Sequence, residues 1–177
     1  MESLWSNALW QQFGAAIDTV EIALLACPDT LWNERLWSNS STSPVPVEFS
    51  EFWNIAFHTL FWLDLYLSGS LEGFAPPAPF TLEDPDRAYT KDELQAYLVY
   101  SRTKCRKTIA ELTEERASRL CTFPWLPGAT FSFLELQLYN MRHVQEHAAQ
   151  LHLFLGQHGH AVSGWIDRAR DAGAVRP

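Results

Sequence analysis

Apolar residues recur every three or four positions along four long segments of the chain, a period typical of amphipathic α-helices. The segments cover residues 3–27, 49–67, 90–118 and about 132–157. The second is apolar on almost every side, which predicts a helix at the centre of the fold. Four such helices predict an all-α fold, a four-helix bundle. We expect residues 1–177 to form a single domain.

Polar and Pro-rich stretches separate these helices and predict long loops. They cover residues 28–48, 68–90 and 119–130. Within the first loop, Leu31-Trp32 and Leu36-Trp37 indicate a short helical turn packed on the bundle. A short C-terminal extension follows the last helix, with one short helix expected around Trp165–Ala169. No alternating apolar and polar run predicts a strand.

Several residues are typical of helix ends. Ser3 is a candidate cap for the first helix, and Thr90-x-x-Glu93 is a capping-box pattern at the start of the third. Gly156 marks the end of the fourth helix. Gly14 lies inside the first helix, where a glycine is tolerated at some cost in stability.

Composition narrows the classes of partner. The chain is 47% hydrophobic, enough for a sizeable core, and its formal net charge is −8. Lys and Arg form no cluster, which argues against nucleic acid as a partner. A net negative charge keeps a protein soluble, and this is sufficient to explain the acidic composition. Eight tryptophans indicate either a core and surface rich in aromatic side chains, or a dimer face or aromatic pocket.

Location is predicted from what the sequence lacks. No run approaches 18 apolar residues, and no basic segment precedes an apolar one at the N-terminus. We therefore expect no membrane span and no signal peptide. Cys27, Cys105 and Cys121 form no CxxC pair and fit a reducing compartment. These features predict a cytoplasmic protein.

Three histidines are the candidate ligands of a metal site. His143 and His147 lie four residues apart, nearly stacked on the apolar face of the fourth helix. His58 lies on the inward stripe of the second helix. Three neutral imidazoles meeting inside a bundle form a metal site that keeps positions open for water or substrate, the pattern of catalytic rather than structural zinc. The alternative is that they are core histidines with hydrogen-bond partners.

Other polar residues near these faces have candidate supporting roles. Three amides lie about one turn from a histidine and can orient an imidazole by accepting a hydrogen bond from its other N–H: Asn54, Asn140 and Gln150. Glu51 lies two turns from His58, about 10 Å along the axis, so we expect a Lys partner for it rather than a role as base. We expect the remaining histidines to lie on the surface: His152, His158 and His160.

The residues Phe57-His58-Thr59-Leu60 and, about 85 positions later, His143-x-x-x-His147-x-x-Gln150 resemble the DinB/YfiT-like family of metal-binding four-helix bundles. The resemblance covers residues 1–157. It implies an up-down-down-up bundle and a divalent ion (zinc, nickel or similar) on the three histidines, in a family whose members are frequently homodimers. Family members include thiol S-transferases that use low-molecular-weight thiols. The usual Arg-Gly after the last histidine is Ala148-Ala149 here, which puts any contact of that Arg in doubt.

Three hypotheses about the function remain open at this point. The first is a metal-dependent hydrolase or thiol S-transferase that acts on a small molecule. The second is a non-enzymatic bundle, either metal-binding or a stress-related interaction protein. A bundle whose histidines are only core residues is the third reading.

Overall fold

The computed structural model describes residues 4–38, 49–160 and 164–170. Its helices are α1 (Leu4–Ala26), α2 (Phe52–Ser68), α3 (Lys91–Ala110), α4 (Glu114–Ser118) and α5 (Phe133–Gln157). A 3-10 turn covers Asp29–Leu31, and two short antiparallel strands pair, β1 (Leu120–Cys121) with β2 (Phe131–Ser132). The four long helices form the bundle, so the all-α prediction is confirmed.

The helix α2 lies diagonally across the bundle from α1, and both pack against α3 and α5. Contacts between α2 and α3 follow the same order along both helices, which are therefore parallel: Asp64 with Tyr97, and Ser68 with Lys104. Contacts between α2 and α5 run in opposite order: Leu63 with Asn140, and Tyr66 with Gln137.

The order also reverses between α1 and α3. Asp18 of α1 pairs with Arg102, whereas Cys27, just beyond the end of α1, accepts a hydrogen bond from Lys91. The helix α1 is therefore antiparallel to both α2 and α3 and runs in the same direction as α5. This is the up-down-down-up arrangement that the family resemblance implies.

Helix bounds differ from the prediction in two places, each for a local reason. The second helix begins at Phe52 rather than at 49, because Glu51 is extended (φ −64°, ψ 146°) and forms a β-bridge with Arg35. The segment 90–118 is divided into α3 and α4, because Thr113 is extended and its hydroxyl accepts a hydrogen bond from the Arg116 N–H. The capping box at Thr90 and Glu93 is confirmed.

Two predictions about regular structure are wrong. The strands β1 and β2 exist although none was expected; at two residues each, they are too short to show an alternating pattern. The C-terminal residues 164–170 form no helix. The short turn expected in the first loop is present at Asp29–Leu31. The proposed cap at Ser3 lies outside the described residues.

The C-terminal segment instead lies extended along α1. The Ala169 N–H donates to the Gln11 carbonyl (2.8 Å), and the Arg170 N–H donates to the Asp18 carboxylate (2.7 Å). A Cβ at position 14 would lie 2.5 Å from the Cβ of Ala169. Gly14 is therefore more than a tolerated weak point, since its missing side chain lets this segment approach the helix.

A buried ionic cluster joins α2 to α3. The Asp64 side chain is fully buried and accepts hydrogen bonds from Lys104 Nζ and from the Tyr97 hydroxyl (3.0 Å). Lys104 Nζ also donates to the Ser68 hydroxyl (2.8 Å), and its side chain is 25% exposed. The carboxylate is thus neutralised by a lysine that still reaches solvent.

No helix in the described ranges is both long and apolar enough to cross a membrane.

Candidate metal centre

The two antiparallel helices α2 and α5 bring three imidazoles together. His58 projects from α2, and His143 and His147 project from successive turns of α5. The His143 Nε2 atom lies 3.2 Å from His58 Nε2 and 3.0 Å from His147 Nε2. One ligand atom from each of the three histidines lies within 4.8 Å of the other two.

These separations fit ligation of a single ion. Imidazole nitrogens bind zinc at about 2.0–2.1 Å, which places two such nitrogens about 3.3 Å apart in tetrahedral geometry and about 2.9 Å apart at right angles. The observed 3.0 and 3.2 Å lie between these values. Two of the three donor pairs are therefore spaced as in a site for a divalent ion that accepts imidazole. That the three histidines hold one stays a prediction.

Burial keeps the imidazoles in the form that binds metals. Desolvation, and secondly the neighbouring His147, lower the pKa of His58 to about 3. Desolvation, with His147 and His58 contributing, lowers the pKa of His143 to about 2. Desolvation also lowers the pKa of His147, opposed by its hydrogen bond with Gln150. All three are neutral at pH 7, as ligation requires.

We expect the metal-free protein to lose stability as the pH falls below about 6.5, the ordinary histidine pKa. The folded-state pKa values of His58 and His143 lie below that value, so the unfolded chain takes up protons that the folded chain does not. Each histidine then lowers the free energy of unfolding by about 1.4 kcal/mol per pH unit. Urea unfolding at pH 7.5, 6.5, 5.5 and 5.0 after chelation measures this. A His58→Gln/His143→Gln variant should show a shallower slope, and an equal slope would contradict the prediction.

The hydrogen bonds of Nδ1, the ring nitrogen that points away from the other histidines, differ among the three rings. His147 Nδ1 lies 2.7 Å from Gln150 Oε1, an acceptor that places the proton on Nδ1 and leaves Nε2 free to bind an ion. His143 Nδ1 is buried and has no partner among the residues that the structure describes. The tautomer of His147 is therefore fixed for ligation, whereas that of His143 is not.

The hydrogen bond of His58 favours the tautomer opposite to that of His147. The Trp62 indole N–H donates to His58 Nδ1 (3.1 Å). An indole only donates, so Nδ1 must accept and the proton of the neutral ring lies on Nε2, the atom that faces the other histidines. Binding an ion through Nε2 requires this hydrogen bond to break. Trp62 lies four residues after His58, one helical turn away, and this i,i+4 spacing is the signal in the sequence that could have identified it.

We expect Trp62→Phe to bind a divalent ion more tightly than the wild type. The substitution removes the donor that opposes the metal-binding tautomer, and one hydrogen bond of about 1 kcal/mol corresponds to about fivefold in affinity. Competition with a chromophoric chelator measures the change. Trp125→Phe is the control, because Trp125 donates to the Tyr66 hydroxyl (3.2 Å) and not to a histidine. Unchanged or weaker binding by Trp62→Phe would contradict this reading.

The other residues singled out from the sequence occupy distinct positions. Asn54 lines a cavity beside His58. Asn140 is buried, with its side-chain N–H donating to the Leu63 carbonyl (3.1 Å). The expected Lys partner of Glu51 is wrong: its carboxylate accepts from the Trp53 indole (2.7 Å).

The three remaining histidines lie away from the cluster. His152 is half-buried and its Nε2 lies 2.9 Å from the Thr19 carbonyl, so it contacts α1 rather than lying free on the surface as expected. His158 is exposed and His160 half-buried, both beyond the end of α5.

A cavity of about 570 Å³ opens beside His58. Its walls come from α2, from Phe49 just before it, from the loop between α2 and α3, and from Trp125. Five aromatic side chains line it: Phe49, Phe57, Phe61, Trp62 and Trp125. The volume is in the range of small-molecule sites, and such sites combine apolar walls with a few polar groups. A small molecule in this cavity would lie against one of the three imidazoles.

Fold and site together define a class, a helical bundle with a candidate metal centre of three histidines. The chain belongs to the DinB superfamily, whose family profile matches residues 12–151. That span contains His58, His143 and His147, and membership is compatible with a metal-binding bundle. A comparison with curated proteins gives no significant match.

Proposed function

We propose that this protein holds a divalent ion on His58, His143 and His147 and uses it to transform a small molecule, as a hydrolase or a thiol S-transferase. The observation that carries the proposal is the convergence of three Nε2 atoms, two pairs of them 3.0 and 3.2 Å apart, beside a cavity. An ion on three neutral imidazoles keeps its charge and acts as a Lewis acid toward water or a thiol.

Different residues would bind the ion, orient its ligands and enclose the small molecule. The three imidazoles bind the ion, and Gln150 keeps the His147 proton on Nδ1. The apolar walls beside His58 exclude water from the bound small molecule. Imidazole ligands suit zinc and nickel, and we propose one of these as the ion.

Any thiol in the reaction must come from outside the chain. All three cysteines are buried. Desolvation raises the pKa of Cys27 to about 12 and also raises those of Cys105 and Cys121. The thiolate is the nucleophile, so at neutral pH none of these side chains is reactive. A transferase mechanism would therefore use a low-molecular-weight thiol as the co-substrate.

Composition and family membership also bear on the partners, the location and the oligomeric state of the protein. The acidic chain without a basic cluster favours a small molecule over nucleic acid as partner. We propose a cytoplasmic protein that does not associate with membranes, in accordance with the free thiols. We also propose a homodimer, on the family resemblance alone.

A turnover screen tests the proposal. Untagged protein, loaded with zinc or with nickel, is assayed with activated esters and with electrophiles plus a low-molecular-weight thiol. We expect turnover that chelation abolishes and that His143→Ala lacks. Full metal occupancy without turnover would instead favour the non-enzymatic metal-binding bundle, and turnover unaffected by chelation would contradict the proposal.

A further inference from the structure

We propose that the cavity beside His58 binds a small molecule with an apolar body and a cationic ammonium end. The inference rests on the proposed function, because it names the substrate class of that site. It is carried by the aromatic walls of the cavity and by the sign of the charge at its rim.

The walls suit both an apolar body and a cation. Trp62 and Trp125 lie edge to face, with ring centroids 4.9 Å apart and an interplanar angle of 69°. Both rings are half-buried, and both line the cavity. Aromatic faces attract an ammonium group through the ring quadrupole, most strongly with tryptophan. They also bury an alkyl or aryl body without leaving a polar group unpaired.

The charged side chains described at the rim of the cavity are all negative. Glu83 and Asp84 line the cavity and are exposed, and neither carboxylate forms an ion pair within the described ranges. The nearest guanidinium in sequence, Arg87, pairs with Glu93 (2.6 Å). Among the residues that the structure describes, the lining contains no Lys or Arg. A cationic ligand end therefore has two carboxylates to approach.

The same lining disfavours an anion. Carboxylates and phosphates are recognised by Arg, Lys or several N–H donors together. Among the described residues, the polar side chains in the walls other than the two acids are Asn54, His58 and Thr81. An anion would face Glu83 and Asp84, and no described side chain of the lining would offset its charge. Any attraction of an anion would come from an ion held by the three histidines, whereas the lining itself selects for positive or neutral ligands.

Calorimetric titration of the full-length protein, after chelation so that no bound ion attracts the carboxylate, tests this with three matched compounds: 3-phenylpropyl-trimethylammonium, 4-phenyl-1-butanol and 4-phenylbutyrate. The quaternary ammonium has no lone pair and cannot ligate a metal. We expect the cation to bind about five- to tenfold more tightly than the alcohol, and the carboxylate to bind most weakly. Equal affinities, tightest binding of the carboxylate, or no binding of the cation at millimolar concentration would each overturn the inference.

Paired variants assign the selectivity to the rim. Glu83→Gln/Asp84→Asn should weaken binding of the cation about fivefold and leave the alcohol unchanged. Glu34→Gln/Glu115→Gln makes the same change in net charge at two exposed carboxylates outside the lining and should alter neither. An equal loss in both variants would mean attraction by overall charge only, and would overturn the inference.

His143→Ala separates this inference from the proposed function, because His143 is not part of the lining. Selectivity for the cation in that variant supports the inference even where the metal and the turnover are lost. Metal-dependent turnover in the wild type without selectivity for the cation overturns this inference alone.

Discussion

His143→Ala should reduce the bound metal from about one equivalent per chain to less than about a tenth. Removing an outer-shell partner of a metal ligand already costs 10- to 100-fold in affinity, so loss of the ligand itself should cost more than about 100-fold. His143 is central to the cluster, since its Nε2 atom lies within 3.2 Å of both other Nε2 atoms. Mass spectrometry of untagged, dialysed protein gives the metal content.

The same experiment has a thermal readout. An ion present at 100 times its dissociation constant stabilises the folded state by about 2.7 kcal/mol, or about 5–10 °C in a chain of this size. Chelation should lower the melting temperature of the wild type by that amount and leave His143→Ala unchanged. His158→Ala is the control, because this exposed histidine lies outside the cluster. Equal metal content in wild type and His143→Ala would refute the site.

Lys104→Met should destabilise the fold by about 3–5 kcal/mol, because breaking a buried ion pair leaves a charge without its counter-ion. Asp64 is fully buried and would keep only the hydrogen bond from the Tyr97 hydroxyl. Urea unfolding measures the loss. Lys107→Met, one turn away at a side chain that is 73% exposed, should cost less than about 0.5 kcal/mol.

The double variant Asp64→Asn/Lys104→Met shows whether charge is the cause. Asparagine keeps an acceptor for the Tyr97 hydroxyl and removes the buried negative charge. We expect this variant to be more stable than Lys104→Met alone. A double variant that is less stable would show that packing of the lysine stem, not the unpaired carboxylate, accounts for the loss.

The bundle was predictable because its helices are long and strongly periodic. Spacing along the chain also placed His58, His143 and His147 on inward faces, and the structure brings these three together. Neither result needs coordinates, because one helical period fixes which side chains share a face. The break at Thr113 was missed because a capping threonine inside a periodic segment does not interrupt the apolar pattern.

Features that depend on contacts between distant segments were not predictable. The glycine at position 14 has its role only because Ala169, 155 residues later, lies against it. The cavity depends on loop residues such as Leu82 and Trp125 meeting α2. The hydrogen bond from Trp62 follows from ring orientation, which periodicity does not determine.

Trp62 also belongs to two sites at once, which has a thermodynamic consequence. Its N–H keeps the proton of His58 on Nε2, and its ring forms part of the cavity wall that a bound small molecule would touch. A small molecule that moves this indole alters the affinity for the ion, and by reciprocity the ion alters the affinity for the small molecule by an equal factor. Titrating either one in the presence of the other would reveal that linkage.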